Sequence, residues 1–175
     1  RTGTTALITG GLGALGRQVA QWIGQQDGIE HVVLTSRRGT EADGCADFLG
    51  ELREAGVEAS VVACDLVDQA SVDSAVAFAQ SKGSLNLVLH LAGALDDGLL
   101  DAMTPERLRA VLGPKWKGAS HLSHALQDID HEALVLFSSM AGMLGNAGQG
   151  NYAAANASLE AVAQNHRRSG NRAQV

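Results

Sequence analysis

The stretch Thr5-Ala-Leu-Ile-Thr-Gly-Gly-Leu-Gly-Ala-Leu-Gly16 joins a short apolar run to the start of an amphipathic segment, and it contains G-x-G-x-x-G. Between a strand and a helix, such glycines allow a tight turn and a close approach of the backbone to a pyrophosphate at the helix N-terminus. The stretch therefore predicts a dinucleotide-binding loop. The alternative is a glycine turn kept only for close packing of the helix on the strand. The predicted loop residues are Gly10, Gly11, Leu12, Gly13, Ala14, Leu15 and Gly16.

Short apolar runs and longer amphipathic stretches alternate along the whole chain. Near-continuous apolar runs are typical of parallel strands that helices cover on both faces. The pattern predicts an α/β fold with a doubly wound parallel sheet, the Rossmann fold. No strand is predicted after the last helix, so the sheet edge and the substrate side are expected to be incomplete. The predicted strands are 5–9, 31–36, 59–64, 85–91 and 133–137, and the predicted helices are 14–26, 42–55, 71–81, 104–126 and 150–168.

Composition excludes several classes of protein. The 175 residues carry a net charge of −6 and no basic block, which disfavours nucleic acid as a partner. No apolar run approaches the roughly 18 residues of a membrane span, and no signal peptide is present. Cys45 and Cys64 form no CxxC or Cys/His pattern, so we expect free thiols in a reducing, cytoplasmic compartment and no metal. Arg1 in place of Met predicts a single domain, residues 1–175, excised from a larger polypeptide.

Positions after the predicted strands indicate which cofactor binds. About twenty residues after the glycine loop, where an NAD site places a carboxylate, the chain has Ser36, Arg37 and Arg38. A guanidinium binds a 2′-phosphate that a carboxylate would repel, so the sequence favours NADPH over NADH. Solvated loop arginines are the alternative. Cofactor contacts are also expected from Asp65, Leu66, Ala92 and Gly93 at strand ends, although Asp65 alone is an equally good helix N-cap.

Four polar residues in the second half of the chain form a coherent set for carbonyl reduction. Tyr152, the single tyrosine, and Asn156 are four residues apart and share a helix face. Ser139 follows the fifth strand, and Lys115 lies in the preceding helical segment. Protonation of a carbonyl oxygen requires an acid, and a phenol near an ammonium group is suited to that role, with a hydroxyl to hold the oxygen. A surface tyrosine and a solvated lysine are the alternative.

Taken together, the motifs resemble the short-chain dehydrogenase/reductase superfamily, most closely the ketoreductase domains of modular polyketide synthases and animal-type fatty acid synthases. The resemblance extends over nearly all 175 residues, and it is carried by TGGLGALG, TSRRG, CDL, HLAGALDDGLL, PKWKGASHL and LFSSMAGMLGNAGQGNYAAANA. The resemblance implies an NADPH-dependent reduction of a β-ketoacyl thioester tethered to acyl carrier protein. Further synthase domains in the same polypeptide are implied as well, as are a lid and a last strand that this chain lacks.

The resemblance also implies the catalytic residues. Most superfamily members carry Tyr-x-x-x-Lys, whereas this chain has Tyr152-x-x-x-Asn156. In synthase ketoreductases the Lys and Asn are exchanged, and Lys115 stands at the family's lysine position. Tyr152 is then the proton donor and Ser139 the carbonyl anchor, Lys115 makes the phenol a better acid and holds the nicotinamide ribose, and Asn156 supports the proton relay. Alternatives are a non-catalytic synthase module, or a freestanding reductase or nucleotide-sugar epimerase.

A last implication concerns stereochemistry. Leu95-Asp96-Asp97 resembles the LDD motif of B-type ketoreductases, and Leu144 stands where A-type domains carry tryptophan. The resemblance therefore implies a D-configured β-hydroxyl product. A solvated acidic loop is the alternative for Asp96 and Asp97. Met140, close to Ser139, is expected to line an acyl pocket or to fill the core.

Overall fold

One six-stranded parallel sheet organises the chain, and the structure, a computed structural model, describes residues 3–175. The strand order is β3-β2-β1-β4-β5-β6. The strands are β1 (Thr4–Thr9), β2 (His31–Ser36), β3 (Ala59–Ala63), β4 (Ser84–His90), β5 (Ala133–Leu136) and β6 (Ala173–Gln174). The predicted doubly wound fold is confirmed. The strand order reverses between β1 and β4, and ligands bind at the carboxyl ends of strands at such a switch point.

Helices cover both faces of the sheet. The helices are α1 (Ala14–Gly24), α2 (Cys45–Glu54), α3 (Gln69–Gln80), α4 (Pro105–Leu112), α5 (Gly118–Ala125), α6 (Ala141–Leu144) and α7 (Gly150–Arg168). Apolar residues of α1 and α2 pack on one face with Ile8 and Leu34, and those of α3, α5 and α7 pack on the other with Leu7 and Leu134. None of the helices described between residues 3 and 175 is both long and apolar enough to cross a lipid bilayer.

Helix α6 was not predicted, α1 and α2 are shorter than the predicted helices, and three further details differ. The expectation that no strand follows the last helix is wrong, because Ala173 and Gln174 pair with Leu134 and Val135 of β5. Two residues in a polar stretch carry no strand pattern. The predicted helix 104–126 is interrupted between α4 and α5 by a π-helical turn, Gly113–Lys117.

The start of α3 is the third difference. The helix begins at Gln69 rather than Ser71, and Asp68 is its N-cap, because the Asp68 carboxylate accepts the backbone N–H of Ser71 at 3.1 Å. The Ser71 hydroxyl instead accepts the backbone N–H of Asp65 at 2.9 Å. The N-cap alternative for Asp65 is therefore wrong.

Candidate active site

A cleft of about 1040 Å³ opens where the sheet order reverses, at the carboxyl ends of β1 and β4. Its size is that of a small-molecule or cofactor site. The lining residues are Gly10, Leu12, Gly13, Ala14, Leu15, Gly16, Thr35, Ser36, Arg37, Cys64, Asp65, Leu66, Val67, Leu91, Ala92, Gly93, Ala94, Leu95, Glu106, Arg109, Ala110 and Pro114. Most of the positions expected to bind cofactor thus lie in one cleft.

The glycine loop has the shape that a pyrophosphate requires. Gly10 has a positive φ of 68°, and at Gly16 a Cβ would press on the Gly10 carbonyl oxygen and come within 2.7 Å of Gly11 Cα. A Cβ on Gly13, by contrast, would approach only one atom, the Gly10 carbonyl oxygen at 3.3 Å. Helix α1 begins after Gly13 with no side-chain cap and no acidic residue in its first turn. The first N–H groups of a helix lack intrahelical partners, so this end suits an anion.

Two arginines that the sequence treats together differ in the structure. Arg37 lines the cleft, and within residues 3–175 no carboxylate lies within 4 Å of its guanidinium. Arg38 lies outside the cleft lining and pairs with Asp43 at 2.8 Å, a contact that raises the pKa of Arg38 and lowers that of Asp43. Arg37 is therefore the cation available to a ligand phosphate.

Gly11 likewise does not line the cleft. A Cβ there would meet the Leu34 side chain at 2.7 Å and the Ile8 carbonyl at 3.1 Å, so this glycine allows close packing of the loop on the sheet. Asp65 remains in the cleft lining, and its carboxylate accepts the backbone N–H of Val67 at 3.1 Å. One member of the glycine motif thus has the packing role that the sequence left open as an alternative.

Lys115 lies in the π-helical turn and is 4% exposed. Its ammonium group donates to the Phe137 carbonyl oxygen at 2.8 Å, just after β5. Burial lowers the pKa of this ammonium. Gly93 of the cleft faces it, since a Cβ on Gly93 would lie 3.6 Å from Lys115 Nζ. Lys115 is therefore held between the cleft and the end of β5, and it is not a solvated lysine.

The segments that carry the other three expected catalytic residues are linked to the chain after β5. Asn156 is buried on α7, donates from Nδ2 to the Tyr152 carbonyl at 2.8 Å, and keeps a buried Oδ1 without a partner. The Ser138 hydroxyl donates to the Asn156 carbonyl at 3.3 Å, and Ser139 Oγ accepts the backbone N–H of Ala141 at 3.2 Å. Residues 137–139 after β5 thus join Lys115 to Ser139 and to the helix that carries Tyr152 and Asn156.

The Leu95–Gly98 segment is fixed on two sides. Arg107 of α4 donates to the Asp96 carboxylate at 2.6 and 3.0 Å and to the Asp97 carbonyl at 2.7 Å. This ion pair lowers the pKa of Asp96. On the other side, Gln149 donates to the Asp97 carboxylate at 2.9 Å and Asn151 donates to the Asp96 carbonyl at 2.8 Å. Both carboxylates therefore have partners in the protein, although Asp97 remains exposed to solvent and Asp96 is only partly buried.

The three apolar side chains expected on the substrate side are exposed. Met140 is 75% exposed, Leu144 79% and Leu95 65%. The core alternative for Met140 is therefore wrong. None of the three lies in the hydrophobic core, so their apolar surface is available to a ligand or to a covering segment.

Several residues of this site were not identified from the sequence. Arg107 and Asn151 on helices, and Gln149 just before α7, are polar residues for which a solvated side chain is the ordinary expectation. His90 is buried at the end of β4, with its ring between Thr9 and Lys115. A histidine within an apolar strand was the one available signal.

Among residues 3–175 no cluster of three or more His, Cys, Asp or Glu side chains suits a metal ion.

The chain belongs to the KR domain family, whose model matches residues 4–175. It is similar to polyketide synthase GfsA of Streptomyces halstedii, with 51% identity over 160 residues that cover 91% of this chain and 2% of that protein. It is also similar to the spectinabilin polyketide synthase system protein NorB of Streptomyces orinoci, with 48% identity over 95% of this chain and 8% of that protein. The chain therefore spans less than a tenth of the length of these two relatives.

Solved ketoreductase structures have the same fold. The first ketoreductase of the tylosin polyketide synthase matches with a TM-score of 0.90 and 44% identity, over 99% of this chain and 38% of that one. A structure described as an A-type ketoreductase from a modular polyketide synthase matches with a TM-score of 0.89 and 41% identity, over 97% of this chain and 36% of that one. The predicted family is confirmed. Because an A-type domain matches this closely, likeness of fold does not distinguish the stereochemical types.

Proposed function

We propose that this chain is the cofactor-binding and catalytic part of a ketoreductase that reduces the β-keto group of a thioester, with Tyr152 as the proton donor. One observation carries the proposal. The segment after β5 holds the Lys115 ammonium through the Phe137 carbonyl, carries Ser139, and contacts through Ser138 the helix of Tyr152 and Asn156. None of the four side chains lines the cleft itself, but this segment links the lysine, serine, tyrosine and asparagine that carbonyl reduction would use.

NADPH is the cofactor that the cleft residues favour, and when bound it supplies the hydride. The uncapped start of α1 suits the pyrophosphate, and the unpaired Arg37 suits a 2′-phosphate. Asp65 is in a position to accept a hydrogen bond from the adenine amino group. Gly93 lines the cleft and lies beside the Lys115 ammonium, which supports a nicotinamide site near the expected catalytic lysine.

The protein groups then have separate tasks. The Tyr152 hydroxyl donates a proton to the carbonyl oxygen as negative charge develops there, and the Ser139 hydroxyl holds that oxygen by a hydrogen bond. The Lys115 ammonium stabilises the phenolate that remains, because opposite charges attract strongly in a partly buried site. The unpartnered Oδ1 of Asn156 is free to accept a hydrogen bond in the relay that returns a proton to Tyr152.

Substrate and partners follow from the family. We propose a β-ketoacyl chain tethered to acyl carrier protein, presented beside the exposed apolar side chains of Met140, Leu144 and Leu95, and a parent polypeptide with further synthase domains in the cytoplasm. The Leu95-Asp96-Asp97 segment supports a D-configured β-hydroxyl product. Its backbone is fixed against the start of α7, so it can direct the approach of the chain to Tyr152.

The test is reduction of a β-ketoacyl thioester surrogate by the full-length protein with NADPH, with the product resolved on a chiral column. We expect turnover and a D-configured product, and Tyr152→Phe should abolish turnover while NADPH binding stays nearly unchanged. An L-configured product would retain the reaction and refute the stereochemical proposal. Bound NADPH without turnover would instead favour the non-catalytic module.

A matched pair of lysine variants sharpens the experiment. Lys115→Met removes the buried ammonium, and we expect a lower kcat and weaker NADPH binding. Lys82→Met is the control, because it removes an exposed lysine just after α3. The Lys82 ammonium lies over the Phe78 ring, 4.8 Å from the ring centroid. Equal activity of the two variants would refute the role assigned to Lys115.

A further inference from the structure

His90 connects two parts of the site through both of its ring nitrogens. It is the last residue of β4 and is fully buried. Its Nε2 lies 2.9 Å from the Lys115 carbonyl oxygen, and its Nδ1 lies 2.7 Å from the Thr9 hydroxyl. Thr9 is the last residue of β1, immediately before the glycine loop. One ring therefore spans from the start of the cofactor loop to the turn that carries Lys115.

The hydrogen-bond partners determine the tautomer. A backbone carbonyl can only accept, so Nε2 carries the proton and donates it to the Lys115 carbonyl. Nδ1 is then an acceptor, and the Thr9 hydroxyl donates to it. Burial lowers the pKa of His90 to about 4, so the ring remains neutral at physiological pH. The Lys115 carbonyl thus fixes the tautomer, and the Thr9 hydroxyl, which can donate or accept, adapts to it.

The turn around Lys115 depends on such contacts. Residues Gly113–Lys117 form a π-helical turn, in which the N–H of Gly118 reaches back to the carbonyl of Gly113. Turns of this kind are rare and frequently occur at functional sites. The ring also packs closely on the turn, because a Cβ on Gly118 would lie 3.2 Å from His90 Cε1.

We infer that His90 is a positioning residue for the proposed reduction: it holds the backbone of Lys115 so that the ammonium reaches the end of β5. Lys115 is then fixed at two points, its carbonyl by His90 and its ammonium by the Phe137 carbonyl. Loss of the first contact frees the turn to shift, and the ammonium shifts with it. This inference depends on the proposed function for its effect on turnover, although not for its effect on Lys115 itself.

The test uses three variants of the full-length protein. His90→Phe keeps a buried ring and removes both hydrogen bonds. His90→Gln keeps an amide donor for the Lys115 carbonyl and an acceptor for Thr9. His166→Phe is the matched control, since His166 is equally buried on α7 but bonds to Ser123 and His131, away from Lys115.

The first measurement needs no turnover. An amine-acylating reagent is applied to the folded protein, and acylation at Lys115 is compared with that at the exposed Lys117 by peptide mass spectrometry. We expect Lys115 to be protected in the wild type, in His90→Gln and in His166→Phe, and to lose that protection in His90→Phe. Protection of Lys115 in folded His90→Phe would overturn the inference.

The second measurement is the pH profile of kcat with NADPH and the thioester surrogate. A displacement of about 1 Å in a catalytic group can lower a rate about 100-fold, so we expect kcat to fall by about 10- to 100-fold in His90→Phe. Its alkaline limb should move to higher pH, because the phenol loses part of the ammonium's effect, and His90→Gln should restore both. A His90→Phe profile identical to that of His166→Phe would overturn the inference. Absence of reduction by the wild type would refute the proposed function alone, and acylation would still decide the position of Lys115.

Discussion

Acidification should destabilise this domain through His90 before the carboxylates of the site become protonated. Burial lowers the pKa of His90 from 6.5 to about 4. The unfolded chain therefore binds a proton at a higher pH than the folded chain does. The contribution of the neutral ring to stability is complete above pH 6.5 and is lost progressively as the pH falls towards 4.

The size of the effect follows from the two pKa values. Each unit of difference corresponds to about 1.4 kcal/mol, so the linkage removes about 2 kcal/mol by pH 5 and about 3 kcal/mol by pH 4. The free energy of unfolding of a typical domain is only about 5–15 kcal/mol. The loss that follows protonation of one buried ring is therefore a large fraction of the free energy of unfolding.

Urea unfolding at several pH values, followed by the fluorescence of Trp22 and Trp116, measures this contribution. His90→Gln is the reference because its amide does not titrate. We expect the wild type to lose about 2 kcal/mol more than His90→Gln between pH 7 and pH 5. Parallel losses in the two proteins would show that His90 is not the acid-sensitive group, and would refute the protonation state assigned to it.

Three further predictions concern the cleft and its rim. Arg37→Ala should weaken binding of NADPH far more than that of NADH. Arg38→Ala should change this preference little, because Asp43 already pairs with Arg38. If titrations show that the two variants change the preference equally, the assignment of Arg37 is contradicted. Gly16→Ala should lower the affinity for NADPH, because the added methyl group has no room in the loop, and an unchanged Kd would contradict the tight approach. Arg107→Met should yield a mixture of product configurations on a chiral column, whereas an unchanged ratio would remove Arg107 from stereocontrol.

The sequence predicts the sheet well because its strands are continuous apolar runs. Each of the first five predicted strands agrees with the structure to within one residue at either end. Strand β6 could not be predicted, since pairing with β5 forms it and its own pattern does not. The π-helical turn was missed because a single turn of this kind inside a helical segment carries no sequence pattern of its own.

The candidate site was predictable only where a motif carries its own chemistry. The glycine loop is an example, and most of its members line the cleft as expected. The role of His90 could not be inferred, because its two partners are distant in sequence, at positions 9 and 115. The difference between Arg37 and Arg38 was equally hidden, because it depends on where Asp43 lies in the fold.

The segment Leu95–Gly98 has a consequence for how such domains can be altered. Its two carboxylates are not independent units, because Arg107 binds one and Gln149 binds the other, while Asn151 holds the backbone between them. A transplant of the three residues Leu95 to Asp97 into another domain would therefore transfer the motif without the side chains that hold it in place. If the segment sets the product configuration as proposed, a change of configuration by substitution requires Arg107, Gln149 and Asn151 to be exchanged together with the motif.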